Sequence, residues 1–234
     1  MKGKEHSVSE KNIDINDGAS RQDIYAPKLI LTSHGFNCEV GRQAINRALM
    51  EAYGADYKEM LRTKSIVMFT LKKYGINELL KHEIVGYGFA PDNVVIWDET
   101  VDEAIKHTGK CYDFCYCSEG NVFALMQMLH NTGAVNVIKS SLAARGSYIG
   151  SSAGGVIAGR SISYALDFDK NDVHLTDFKG LDILPKHLGS VAILPHYTKQ
   201  EFMRWRRNTP DYELNKYDNI LYIPNTKYRV FDLE

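Results

Sequence analysis

The sequence predicts an α/β domain built on a largely parallel sheet flanked by helices. Two observations carry this reading. From Lys28 onward, short apolar runs of strand length alternate with longer amphipathic stretches, the pattern of successive β-α units. The 234 residues are also 44% hydrophobic, enough apolar material for a core of that size and too much for a disordered chain.

Taken in order, residues 1–27 are polar and charged without a sustained apolar period, and read as an N-terminal extension. Residues 28–234 read as one domain. Leu29-Ile30-Leu31-Thr32-Ser33 is the first strand and stops at His34-Gly35. Gln43 to Tyr53 carries Ala44, Ala48, Leu49 and Ala52 at helical spacing. Ser65 to Thr70 and Val94 to Trp97 give the second and third strands. Tyr112 to Cys117 gives the fourth, followed by Gly120-Asn121 and an apolar helix from Val122 to His130. Tyr148-Ile149-Gly150 is the fifth strand, and the runs Val191 to Leu194 and Ile220 to Ile223 are expected to complete the sheet.

Composition narrows the function. Lys plus Arg number 28 against 29 Asp plus Glu, so the chain has no global field to attract nucleic acid or an acidic membrane surface. No run approaches the roughly 18 to 20 apolar residues of a membrane span. The four cysteines, Cys38, Cys111, Cys115 and Cys117, are few, and the last three are expected to crowd one strand, which suits a reducing compartment and core packing. Their spacing has no downstream Cys/His pair, so no metal is expected. The start, Met1-Lys2-Gly3-Lys4-Glu5-His6, is basic but reaches no apolar stretch of the secretory kind, making the cytoplasm the expected location.

The chemistry concentrates in Gly150-Ser151-Ser152-Ala153-Gly154, which fits G-x-S-x-G between a strand and a helix. Small residues are a steric need there, because the turn brings strand and helix into close approach. The same geometry brings the Ala153 N–H near a developing oxyanion, making Ser152 the nucleophile candidate. A loop binding phosphate through the same free N–H groups is the competing use of such a turn. Of eight histidines, His196 stands apart: it follows Val191-Ala192-Ile193-Leu194-Pro195, at a strand end where sites of open α/β sheets collect. Asp167 and Asp169 are the carboxylates available to orient it, in the chemically permitted order Ser, Asp, His.

These residues resemble the peptidase E, or aspartyl dipeptidase, family of serine peptidases, on a flavodoxin-like, class I glutamine amidotransferase-like scaffold. The resemblance rests on Tyr148-Ile149-Gly150-Ser151-Ser152-Ala153-Gly154, on Asp167 fifteen positions after the serine, and on Leu194-Pro195-His196-Tyr197. Ser118-Glu119-Gly120-Asn121-Val122-Phe123 is similar to the family's Gly-Gly-Asn-Thr turn, with Glu119 replacing a glycine and Val122 the threonine. Leu29 to Phe36 is similar to its opening strand.

The resemblance implies a triad of Ser152, His196 and Asp167, an oxyanion hole from the N–H groups of Gly120 and Ala153, and no cofactor. It further implies a short peptide substrate, specifically a dipeptide with an N-terminal aspartate; monomer and homodimer both stay open, and the charge balance and hydropathy already speak against nucleic-acid and membrane partners. Arg145, Arg160 and Lys199 are the cations nearest these motifs in sequence. Two other readings stand beside it: an esterase-type serine hydrolase, and a non-catalytic binding protein of the same fold motivated by Glu119 and Val122. A general α/β-hydrolase fits poorly, since only 82 residues follow Ser152. A cysteine amidotransferase fits poorly too, since the turn carries serine.

Overall fold

Alternation along the strands decides the layering. Leu29 and Leu31 point to one face of the sheet and Ile30 to the other, and all three are fully buried. Val67 and Phe69 oppose Ile66 and Met68, and Cys115 and Cys117 oppose Phe114 and Tyr116, in the same way. Strands apolar on both faces must be covered on both, which is why helices flank the sheet on either side. Each such side chain stabilises the fold by about 1.5–3 kcal/mol through burial.

The computed structural model describes residues 26–72, 77–106, 109–210, 213 and 215–233. Its elements are β1 (Lys28–Thr32), α1 (Glu39–Tyr53), α2 (Tyr57–Leu61), β2 (Ile66–Phe69), α3 (Asn77–Gly86), β3 (Val94–Trp97) and α4 (Glu103–Lys106). There follow β4 (Phe114–Cys117), α5 (Val122–Asn131), α6 (Ala134–Ala143), β5 (Ser147–Ser151), α7 (Ala153–Val156), β6 (Val191–Pro195), α8 (Lys199–Asn208), β7 (Asn219–Ile223) and β8 (Tyr228–Asp232). The main sheet runs β3-β2-β4-β5-β1-β8, with parallel pairing except between β1 and β8. The mostly parallel sheet with helices on both faces is the expected fold class.

Two expectations are corrected. The runs at Val191 and Ile220 do not complete the main sheet: β6 and β7 pair with each other, in parallel, as a separate two-stranded sheet. The strand that closes the main sheet is β8, whose Tyr228, Val230 and Phe231 sit at an edge and are only partly buried, so its apolar signal is weak. Cys111 is exposed and lies ahead of β4, whereas Cys115 and Cys117 are buried within it. Residues 1–25 of the expected extension lie outside the described residues.

The loop Pro224-Asn225-Thr226-Lys227, closed by a Lys227 N–H to Pro224 carbonyl bond of 2.9 Å, carries the chain from the small sheet to the main one. It therefore crosses beside the C-terminal end of β1, where Thr32 pairs with both Ser151 of β5 and Tyr228 of β8.

Candidate active site

β5 ends at Ser151, and the next residue turns the chain into α7 with φ +51° and ψ −112°. Such a conformation costs a non-glycine residue on the order of 1–3 kcal/mol and persists only where its surroundings enforce it. They do so on three sides. The Ser152 N–H donates to the Thr32 carbonyl at 2.9 Å, the Gly154 N–H to the Ser118 carbonyl at 3.1 Å, and the Gly155 N–H back to the Ser152 carbonyl at 2.8 Å. The Tyr148 hydroxyl, buried behind the turn, donates to the Gly154 carbonyl at 2.7 Å. Gly154 is required sterically, because a Cβ there would meet the Cys117 carbonyl oxygen at 2.0 Å.

His196 is the first residue beyond β6 and also holds a left-handed backbone, φ +56°. Its N–H donates to Ser33 Oγ at 2.9 Å, and the Ser33 hydroxyl in turn donates to the Ile223 carbonyl. The Tyr197 N–H bonds the same carbonyl at 3.2 Å. Ser33, one residue past β1, thus ties the main sheet to the ends of β6 and β7. The result is a distance of 2.9 Å between Ser152 Oγ and His196 Nε2.

The second ring nitrogen of His196 faces Asn225 Oδ1 at 2.9 Å. An amide oxygen only accepts, so Nδ1 carries the proton and Nε2 is left to accept from the Ser152 hydroxyl. The expected contact between Asp167 and His196 is not formed. Asp167 ends a 3₁₀ turn (Ser163–Asp167) anchored by the buried Tyr164, whose hydroxyl bonds the backbone of Ile193, and its carboxylate accepts from Thr209 Oγ1. Asp169 caps α5, accepting from Asn121 Nδ2 at 2.9 Å and the Val122 N–H at 2.7 Å.

Gly120 and Ala153, the expected oxyanion donors, both border a cavity of about 320 Å³ that opens onto Ser152 and His196. Gly120 has φ +142°, a backbone accessible essentially to glycine alone. Ala153 opens α7, so its N–H has no helical carbonyl behind it. The neighbouring Glu119 is turned away from the cavity: its carboxylate accepts from the Gly35 N–H and from Asn37 Nδ2, the latter at 2.7 Å, and lies 3.6 Å from His34 Nδ1. The His34 ring meets His196 edge-on at a centroid distance of 4.6 Å. Val122 packs in the α5 core and borders the same cavity.

Cysteine chemistry has no foothold near the turn. Burial pushes the Cys115 thiol up to about 12 and the Cys117 thiol higher still. Among the described residues, no three His, Cys, Asp or Glu side chains are grouped to hold a metal ion.

The site residues that sequence reasoning misses are Ser33 and Asn225. A signal for Asn225 exists in the parallel register, since Pro195 pairs with Ile223 and the two strands therefore end together, placing His196 and the Pro224-Asn225 turn side by side. Ser33 lies in the first strand as read from sequence, but its partner is 163 residues away.

Fold and turn together define a class I glutamine amidotransferase-like α/β protein with a serine at its strand-to-helix elbow. Residues 74–228 match the model of Peptidase family S51, and the chain belongs to that family. It is 39% identical over 124 residues to the uncharacterized peptidase Lmo0363 of Listeria monocytogenes serovar 1/2a, covering 52% of this chain and 58% of that protein. It is 34% identical over 93 residues to the uncharacterized peptidase PM1590 of Pasteurella multocida, covering 39% and 42%. The chain spans about half the length of the curated relatives it matches. A crystal structure of a protein assigned as peptidase E from Listeria monocytogenes EGD-e superposes with a TM-score of 0.61 at 23% identity, over 89% of this chain and 100% of that one. That of a peptidase from an acI-B1 Actinobacterium gives 0.59 at 16% identity, over 88% and 84%. At these identities the two structures share the fold.

Proposed function

We propose that this chain is a serine peptidase of short peptides, with Ser152 as nucleophile and His196 as general base. The observation that carries the reading is the 2.9 Å approach of His196 Nε2 to a serine hydroxyl on a strained elbow. As Ser152 Oγ bonds to the substrate carbonyl carbon, its proton passes to Nε2, and the carbonyl oxygen takes up negative charge beside the N–H groups of Gly120 and Ala153. The C–N bond then breaks, with Nε2 returning the proton to the leaving amine. Water, deprotonated by the same nitrogen, cleaves the acyl-enzyme to release the carboxylic acid and restore Ser152.

Asn225 takes the orienting role first assigned to Asp167. It fixes the tautomer as a carboxylate does but adds no negative charge to balance the imidazolium, an arrangement with precedent in Cys-His-Asn peptidases. Dipeptides are the expected length of substrate, and the sparing use of cysteine keeps the cytoplasm as the proposed location. Aspartyl specificity asks for a cation at the site, and none of the described residues bordering the cavity is Lys or Arg.

The test is covalent labelling. A fluorophosphonate probe should modify the wild-type protein at Ser152, and Ser152→Ala should abolish the modification while leaving the fold intact by circular dichroism. A folded wild-type protein that the probe leaves untouched would sink the reading and favour a binding role.

A further inference from the structure

The cavity beside Ser152 is apolar where an aspartate-selective site needs positive charge. Its walls are formed by Val122, Val156, Phe168, Leu194, Phe202 and Trp205, drawn from the start of α5, the elbow helix, the residue after the Ser163–Asp167 turn, the end of β6 and α8. Trp205 is nearly fully buried, and Phe202 packs against it and against Tyr222, so this wall is a fixed aromatic surface. Two carboxylates stand in the same lining: Asp169 at the Gly120 side, where it accepts from Asn121 and the Val122 N–H, and Glu201 on the first turn of α8, where one oxygen accepts from the Thr198 hydroxyl at 2.8 Å. The cations near the motifs in sequence are elsewhere: Arg160 pairs with Asp182 at 3.3 Å, and neither Arg145 nor Lys199 borders the cavity.

Resting on the serine peptidase reading above, we infer that the cavity receives an apolar side chain, aliphatic or aromatic, on the first residue of a short peptide, and disfavours aspartate there. A volume of about 320 Å³ accommodates a leucine or phenylalanine residue with its backbone. An acidic side chain in that space gives up its water to face Asp169 and Glu201 with no Lys or Arg among the described residues that border the cavity, a double penalty of desolvation and like-charge repulsion. The two carboxylates have a use with the apolar peptide, because a free α-ammonium is the one cation every short peptide carries. The first residue thus presents an apolar side chain to the aromatic wall and a positive terminus to a carboxylate of the lining.

The experiment measures kcat/KM on dipeptides X-Leu with X as Leu, Phe or Asp, and on N-acetyl-Leu-Leu, alongside fluorophosphonate labelling of Ser152. The expected result is at least a tenfold preference for Leu or Phe over Asp, and at least a tenfold loss on acetylation. Glu201→Gln, at an exposed position outside the reacting groups, should narrow the gap between Leu and Asp several-fold. If Ser152 is labelled but Asp-Leu is cleaved as well as Leu-Leu, or no apolar dipeptide is cleaved, the specificity inference is overturned and the serine nucleophile stands. Unchanged turnover of the acetylated peptide overturns the ammonium contact. Absence of labelling removes the nucleophile and the inference together.

Discussion

Nδ1 of His196 and Oδ1 of Asn225 lie 2.9 Å apart across 29 residues of chain, an imidazole held by a side-chain amide on the loop that joins the two sheets. Because the amide fixes which ring nitrogen bears the proton, removing it should cost orientation. Asn225→Ala is expected to lower kcat on a cleaved dipeptide by about a hundredfold, the scale of a misplaced catalytic group. Asn225→Asp should match or exceed the wild type, since a carboxylate keeps the tautomer and adds charge stabilisation. Steady-state kinetics on the two variants decide the point; equal activity of Asn225→Ala and wild type would remove Asn225 from the mechanism.

Ser33 uses one hydroxyl to accept from the His196 N–H and to donate to the Ile223 carbonyl. Ser33→Ala leaves both backbone groups without that partner, at about 1–3 kcal/mol. The expected outcome is a melting temperature several degrees lower and a larger fall in kcat than rise in KM, because the backbone carrying His196 loses its tether. Ser33→Thr, which keeps the hydroxyl, should recover much of the loss. Calorimetry and kinetics on both variants test this.

Gly154 sits with its α-carbon against the β4 backbone. Gly154→Ala forces a methyl to within 2.0 Å of the Cys117 carbonyl oxygen unless strand or elbow moves. Overpacking of this kind costs about 1–3 kcal/mol. The protein should melt at a lower temperature, and fluorophosphonate labelling of Ser152 should slow markedly even in the folded fraction.

Asp113 ties the starts of three strands. Its carboxylate accepts from the Ser65 N–H and hydroxyl and from Lys64, each at 2.9 Å, and its carbonyl accepts from the Ser147 N–H. Partial burial raises its pKa, but the Ser65 and Lys64 contacts outweigh that effect and leave it below the ordinary value of 3.8. A depressed folded-state pKa means that the contribution is complete above the unfolded value and is lost as the pH falls through the folded one. Asp113→Asn should therefore lower the melting temperature at pH 7, with the difference from wild type narrowing as the pH falls below the ordinary carboxylate value of 3.8. A gap independent of pH would assign the effect to hydrogen bonding alone.

What the sequence shows well is what is local. The parallel strands are legible because two buried faces demand continuous apolar runs, as in Ile66-Val67-Met68-Phe69. The elbow is legible because close approach of strand and helix admits only small residues. The pairing of β6 with β7 is not, because the same apolar run suits either sheet and the partner is set by packing. Asp167 stands at a suitable chain distance from Ser152, yet the anchoring of Tyr164 beneath β6 directs the next turn to Thr209. Asn225 is an ordinary turn residue until the common end of β6 and β7 places it beside the imidazole.

The separation of the site between two sheets has a mechanical meaning. Ser152 stands on the six-stranded sheet, while His196 stands at the end of a two-stranded one. Two strands are marginal by themselves, so the position of His196 depends on the packing of Val191, Ala192, Ile193 and Leu194 into the core they share with the main sheet. Proton transfer between the two residues is therefore the most sensitive gauge of how firmly the sheets are docked. Ile193→Ala, which loosens that packing without touching the reacting groups, should therefore lower kcat along with the melting temperature.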